Sequence, residues 1–143
     1  MKKNLLCFVF FCCAVQVFSK ELPDELIDEK IHECLKELNL DKKILSTVFD
    51  DKFQIKNLSE DGVKLTKCGI KKGNYYTPDG EFNREVMVEA TVKTIKSLVK
   101  HEVHDVETVA DSVFEKCKTR KGEDAVAETT NLNNCVMNEI FKL

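Results

Sequence analysis

Hydrophobic residues recur every three or four positions along most of the chain, which is the spacing of one face of an α-helix. The first of these apolar stripes consists of Ile27, Ile31, Cys34 and Leu38. Five further stripes lie within residues 41–49, 59–73, 86–103, 106–117 and 132–141. Because no segment alternates apolar and polar residues as a half-buried strand would, the pattern predicts an all-α domain of about six helices.

Residues that favour helix ends support these bounds. Ser59 is suited to cap the third helix, since its hydroxyl can accept a hydrogen bond from the first turn. The Lys-Lys-Gly run at residues 71–73 is typical of a helix C-terminus, and the Pro-Asp-Gly run at residues 78–80 predicts a turn in the following loop. The fourth stripe is the longest, because valine and isoleucine recur at helical spacing as far as Val103, and it predicts one helix through that residue.

Residues 1–19 have the pattern of a secretory signal peptide. Lys2 and Lys3 precede an apolar run that is too short to span a bilayer, which disfavours the alternative of a membrane anchor. Small residues at Val17 and Ser19 predict cleavage after Ser19. The mature chain, residues 20–143, then forms one domain, and the loss of two lysines changes the net charge from −3 to −5.

Removal of the signal peptide leaves four of the seven cysteines, which are Cys34, Cys68, Cys117 and Cys135. An even number of cysteines in a secreted chain predicts two disulfides, and the sequence alone leaves three pairings open. All four lie on or beside apolar stripes, which predicts that they are in the core. Two bridges that pin helix faces together permit an internal cavity, because the helices need not pack closely everywhere.

The sequence offers little for catalysis, metal binding or nucleic-acid binding. Its negative net charge argues against a nucleic-acid partner, and a disulfide-bonded cysteine cannot act as a nucleophile. His101 and His104 could share a helix face, yet no third ligand with metal-site spacing accompanies them. We therefore expect no enzyme, no catalytic residue, no metal and no cofactor. A pH switch through the histidines is a hypothesis for ligand release.

The signal peptide, the length of the acidic helical domain and the order of its cysteines resemble the insect odorant-binding protein family, the pheromone and general odorant binders (PBP/GOBP). A typical member has six cysteines, whose second and fifth would fall at Lys64 and Val126 of this chain. The sequence is therefore similar to the four-cysteine, minus-C branch, in which both partners of one bridge are missing. A lysine at position 64 would lie along its helix with its amine in water. The resemblance implies the disulfides Cys34–Cys68 and Cys117–Cys135.

The same resemblance implies a function. It implies a secreted, extracellular carrier for transport, as in olfaction, which holds a small hydrophobic ligand such as an odorant, pheromone, fatty acid or similar lipid in an internal cavity. A chemoreceptor is a further partner in this interpretation, which involves no stable membrane insertion and a monomer or weak dimer. The alternative is a secreted salivary, venom or gland effector that acts by protein interaction on the same scaffold.

The candidate ligand contacts come from aromatic and apolar residues of every segment, because small-ligand pockets are lined mainly by such side chains with a few polar groups. The candidate polar contacts are Tyr75, Tyr76 and Thr91. The apolar candidates are Phe49, Phe53, Phe82, Met87, Ile95, Phe114, Val136 and Phe141. Phe141 belongs to the C-terminal segment, which closes over the pocket in some relatives. Residues 57–59, Asn-Leu-Ser, also match the pattern for N-glycosylation at Asn57.

Overall fold

The computed structural model describes residues 22–143, so the predicted signal peptide and its cleavage site lie outside the described residues. Short 3-10 turns at Asp24–Leu26 and Lys42–Ile44 precede the first two α-helices. The α-helices of the described part are α1 (Glu29–Glu37), α2 (Leu45–Val48), α3 (Glu60–Lys72), α4 (Arg84–Leu98), α5 (Val106–Cys117) and α6 (Ala125–Ile140). Across residues 22–143, pairing between extended segments is limited to two isolated bridges, Phe49 with Ile55 and Tyr76 with Phe82. The prediction of an all-α fold with about six helices is confirmed.

Side-chain caps fix where three of the helices begin. Oδ1 of Asp28 accepts a hydrogen bond from the backbone N–H of Ile31 at 3.0 Å, at the start of α1. The hydroxyl of Ser59 accepts one from Gly62 at 3.1 Å, which confirms the predicted cap of α3. Asp124 caps α6 in the same way. Each cap satisfies a backbone donor that the first turn of a helix leaves without an intrahelical partner.

The fourth helix is shorter than its apolar stripe predicts. It ends at Leu98, because Val99 has an extended backbone with φ −83° and ψ 120°. Val99 and Val103 nevertheless pack against the buried cluster around Ile95. The prediction of a single helix through Val103 was wrong because an extended segment can bury valines at the same positions. As a result α6, with 16 residues, is longer than α4, with 15.

The core is assembled from pairs of packed helices. α4 packs most extensively on α5, α1 packs on α3, and α6 packs on both α5 and α3. One buried cluster around Phe114 and Leu132 joins the α4–α6 side of the molecule, and a second around Leu35 and Leu65 joins α1 to α3. Within residues 22–143, no helix has the length and the apolar content that crossing a bilayer would require.

Two disulfides tie these pairs together. Cys34–Cys68 joins α1 to α3 and Cys117–Cys135 joins α5 to α6. Their Cα atoms are 5.9 and 5.7 Å apart, within the usual range for a disulfide. Three of the cysteines are buried and Cys68 is partly buried. The pairing that the family resemblance implies is therefore confirmed.

The two positions at which a third bridge would be expected have different surroundings. Lys64 lies along α3, where its ammonium nitrogen is 3.2 Å from the Glu60 carboxylate and 3.6 Å from that of Asp61. Half of its side chain, 52%, is exposed to solvent. Val126, in the first turn of α6, is buried. A lysine is accommodated at position 64 because its charge stays in water beside two carboxylates.

Candidate ligand-binding cavity

A cavity of about 650 Å³ lies between the helices. Its wall is formed by the N-terminal segment with α1, by α2 and the loop between α2 and α3, by Tyr75 after α3, and by side chains of α3, α4, α5 and α6. Pockets for small organic molecules have volumes of about 300 to 1,000 Å³ and mainly apolar walls. The cavity is therefore of a size that suits one small ligand.

Seven of the eleven predicted ligand contacts line this cavity. They are Phe49, Phe53, Tyr75, Met87, Thr91, Phe114 and Val136. These residues come from five different parts of the chain, and the fold brings them to one space. Their contact with a ligand stays a prediction.

The other four predicted contacts lie elsewhere. Ile95 is only 1% exposed and packs with Ala110 and other residues of the α5–α6 side. The rings of Tyr76 and Phe82 stack on each other with their centroids 4.9 Å apart, outside the cavity lining. Phe141 is 52% exposed and lies just after the end of α6. These four residues do not line the cavity, and their contact with a ligand stays a prediction.

Further buried apolar residues line the cavity and were not among the predicted ligand contacts. These residues are Ile27, Leu45, Val48, Ile55, Leu65, Leu132 and Met137. Most of them lie on or beside the apolar stripes, so the signal was present. Helical periodicity does not distinguish a residue that faces a cavity from one that faces a neighbouring helix. The predicted contacts were mainly aromatic, so these residues were not included.

The wall between α2 and α3 is a tight loop, residues 49–55, which we call the wall loop. The backbone N–H groups of Lys52 and Gln54 each donate to Oδ1 of Asp50 at 2.9 Å. Phe53 has a left-handed backbone, with φ 54°, and its buried ring lines the cavity. Because this conformation is unfavourable for a bulky residue, the wall loop depends on contacts that hold Phe53 in it.

Helix α6 supplies such contacts through asparagine side chains. Nδ2 of Asn133 donates to the carbonyl oxygen of Phe53 at 3.1 Å. Oδ1 of Asn134 accepts from the backbone N–H of Ile55 at 2.8 Å, and its Nδ2 donates to the carbonyl oxygen of the same residue at 2.7 Å. Asn134 thus satisfies the backbone of Ile55 as a neighbouring strand would. The cavity wall is in this way attached to the last helix.

The wall loop also contains a charged anchor. Burial acts to raise the pKa of Asp50, but hydrogen bonds from the Gln54 backbone, from Lys56 and from the Lys52 backbone outweigh it, so that the pKa lies below its ordinary value. The Lys56 ammonium nitrogen is 3.0 Å from Oδ2 of Asp50. The loop is therefore held by a carboxylate that is ionised at neutral pH.

Tyr75 reaches the cavity directly after the end of α3. Gly73 permits its position, because a Cβ atom added there would come 2.3 Å from Cε1 of the Tyr75 ring. Burial, and then the negative charge of Asp28, raises the pKa of Tyr75 above its ordinary value. The hydroxyl is therefore protonated at neutral pH and can both donate and accept a hydrogen bond.

Charged side chains occur at the exposed rim of the cavity and uncharged polar groups farther inside. The charged lining residues, all of them exposed, are Glu25, Asp28, Glu29, Lys30, Glu33, Glu89 and Lys93. The buried Thr91 donates from its hydroxyl to the carbonyl oxygen of Met87 at 2.8 Å. Thr66, Thr129 and Asn133 are further polar lining residues, and each is partly buried.

The histidines lie away from this site. His32, His101 and His104 are exposed and do not line the cavity. Within residues 22–143, no group of three or more His, Cys, Asp or Glu side chains could hold a metal ion. The pH switch through the histidines stays a hypothesis.

The family comparison covers nearly all of the described bundle. A model of the PBP/GOBP family matches residues 18–139, which include all four disulfide-bonded cysteines and nearly all of α6. No curated protein and no solved structure matches the sequence.

Proposed function

The chain belongs to the PBP/GOBP family, the insect odorant-binding proteins, and on that premise we propose that it is a carrier which encloses one small hydrophobic ligand between its helices. The observation that carries the proposal is the cavity of about 650 Å³ with its mainly apolar wall. A sparingly soluble molecule held there would stay dispersed in aqueous fluid until it is delivered. The carrier forms no covalent bond with its ligand.

Burial of apolar surface supplies the affinity. At about 25 cal/mol per Å², a ligand that hides about 200 Å² gains about 5 kcal/mol, before the cost of its lost freedom is subtracted. Phe49, Phe53 and Phe114 provide broad apolar surfaces for these contacts. Met87 is unbranched and flexible, so it can adjust to ligands of different shape.

The finer parts of the proposal concern the origin of the mature chain. We expect the chain to be secreted, with residues 1–19 removed, and two disulfides in a small domain suit an oxidising compartment. N-terminal sequencing of the protein secreted by insect cells should give Lys20 as the first residue. A start at Met1 would contradict this. The absence of cysteine from positions 64 and 126 supports assignment to the four-cysteine branch.

Displacement of a fluorescent probe tests the carrier function. The mature, delipidated protein should bind N-phenyl-1-naphthylamine with a blue-shifted, enhanced emission, and small apolar alcohols should displace it. A well-folded sample that takes up no probe would refute the carrier proposal. The secreted effector would then be the hypothesis to test.

Two phenylalanines offer a matched pair for placing the bound probe. Phe114 and Phe82 are buried to a similar degree, 4% and 9% exposed, and belong to one packed cluster, but of the two Phe114 alone lines the cavity. Phe114→Ala should weaken probe binding, whereas Phe82→Ala should lower thermal stability with a smaller change in affinity. Equal effects on affinity would mean that the probe does not occupy this cavity.

A further inference from the structure

Two tyrosines that are adjacent in sequence have different hydrogen-bonding states. The Tyr76 hydroxyl contacts three groups of α6, which are the carbonyl oxygen of Ala125 at 3.3 Å, Glu128 at 3.4 Å and the Thr129 hydroxyl at 3.2 Å. Tyr75 is partly buried and lines the cavity, and its hydroxyl makes no hydrogen bond within residues 22–143. Because this hydroxyl has no partner and yet is not fully buried, it keeps accessible surface and is available to a molecule inside the cavity.

The charges around the cavity have an uneven distribution. Five carboxylates and two ammonium groups lie at the rim, and the polar residues deeper in the wall are uncharged. One of the two ammonium groups, that of Lys93, is 3.7 Å from the Glu89 carboxylate on the same helix. A ligand therefore finds no cation inside the cavity, and outside it meets an excess of negative charge.

From these two observations we infer that the cavity selects neutral ligands that carry a hydrogen-bonding oxygen, such as long-chain alcohols, and discriminates against free carboxylates of the same length. Tyr75 is then the specificity-determining residue that binds the oxygen. The inference rests on the proposed carrier function and narrows its ligand class, since it separates a fatty acid from its neutral counterparts.

A carboxylate has two unfavourable placements in this cavity. With its head group inside, it would lose its water without gaining a cationic partner, which is strongly unfavourable for a buried charge. With its head group at the rim it would stay hydrated, but it would lie among the five carboxylates. An alcohol avoids both problems, because its hydroxyl is neutral and can donate to or accept from Tyr75.

A competition series with one chain length tests the inference. Decan-1-ol, decanoate and decane compete with N-phenyl-1-naphthylamine on the mature protein at neutral pH. Decan-1-ol should bind at least about tenfold more tightly than decanoate. Tyr75→Phe, which removes only the hydroxyl, should weaken decan-1-ol about fivefold and leave the probe and decane unchanged. Tyr76→Phe is the matched control and should change none of the affinities.

Decanoate is also more soluble in water than decan-1-ol, and this difference alone would weaken its binding. A charge variant separates this effect from the effect of charge in the cavity. Ala90 is an exposed residue of α4 that lines the cavity, so a longer side chain fits there without disturbing the core. Ala90→Lys should strengthen decanoate binding about fivefold and leave decan-1-ol unchanged, whereas the neutral Ala90→Gln should change neither.

The outcomes distinguish the two proposals. If the protein takes up the probe but binds decan-1-ol and decanoate with equal affinity, the inference is overturned and the carrier function stands. The same holds if Tyr75→Phe keeps the full affinity for decan-1-ol. An Ala90→Lys variant that binds decanoate no better than Ala90→Gln also overturns it, because charge would then play no part. Absence of probe uptake by the folded wild-type protein overturns both.

Discussion

Asn134 on α6 holds Ile55 of the wall loop by two hydrogen bonds, one to its backbone N–H at 2.8 Å and one from Nδ2 to its carbonyl oxygen at 2.7 Å. Asn134→Ala leaves both backbone groups without these partners. We expect the free energy of unfolding to fall by about 2–3 kcal/mol. Urea denaturation measures it. Asn131→Ala is the control, because Asn131 is exposed and makes a single bond to the Lys121 carbonyl, and it should cost less than about 1 kcal/mol. Equal losses would show that the two hydrogen bonds of Asn134 stabilise the fold no more than the single bond of Asn131 does.

Gly73 and Tyr75 are also closely linked. Gly73→Ala would place a methyl group 2.3 Å from the Tyr75 ring and 2.8 Å from the Gly69 carbonyl oxygen, so the ring has to move. We expect a lower melting temperature and weaker binding of decan-1-ol, because the hydroxyl is displaced. Gly69→Ala in the same helix is the control, since its methyl group would meet one flexible atom of Ile31 at 3.1 Å. If Gly73→Ala binds decan-1-ol like the wild type, the binding of decan-1-ol does not depend on the position of the Tyr75 hydroxyl.

Asp50 predicts how the wall loop responds to acid. Its pKa is lower in the folded chain than its ordinary value, so its contribution is fully present above that ordinary value and is lost as the pH falls through the folded pKa. Asp50→Asn should therefore lower the melting temperature at neutral pH and should differ less from the wild type well below pH 4. Asp51→Asn, at an exposed neighbouring position, serves as the control. A difference that does not depend on pH would mean that the charge of Asp50 is irrelevant.

The two disulfides should stabilise the fold to a similar extent. Chain-entropy arguments give about 3 kcal/mol for Cys117–Cys135 and about 4 kcal/mol for Cys34–Cys68, whose partners are farther apart in sequence. Replacing both cysteines of Cys34–Cys68 by serine should therefore lower the free energy of unfolding by more than replacing both cysteines of Cys117–Cys135. Urea denaturation measures the two losses, and a reversed order would mean that local packing outweighs the length of the closed loop.

A third bridge can be tested by adding two cysteines. If residues 64 and 126 occupy the positions of the missing pair, Lys64→Cys with Val126→Cys should oxidise spontaneously and raise the melting temperature. Loss of the exposed Lys64 ion pairs costs little. Thiol titration and mass spectrometry detect the bridge, and each single substitution is a control. A double variant that keeps two free thiols would contradict the assignment to the four-cysteine branch.

The parts of the fold that could be predicted are those that local patterns determine. The apolar stripes indicated the helices, and Ser59 marked the start of α3, because caps and helix faces depend on residues within one or two turns. The end of α4 could not be predicted in this way. Valines such as Val99 and Val103 contribute to the same buried cluster in an extended segment as they would in a helix.

The site was less predictable because its geometry comes from distant partners. Phe53 lines the cavity in a left-handed conformation, and its carbonyl oxygen is held by Asn133, which is 80 positions away in the sequence. Ile95 and Met87 lie on one helix and both are buried, yet only Met87 lines the cavity. Which apolar residue faces a space between helices depends on how those helices are rotated, and one amphipathic pattern does not contain that information.

The attachment of the wall loop to α6 also determines when the cavity can exist during synthesis. Ile55 leaves the ribosome long before Asn134, its partner 79 positions later, has been made. Until then the wall loop lacks its hydrogen bonds to α6, and the cavity lacks the side chains that α6 contributes to its wall. The chain should therefore acquire its capacity to bind a ligand late and abruptly, when its last helix docks, and a nascent chain that is halted before Asn134 should not retain a ligand.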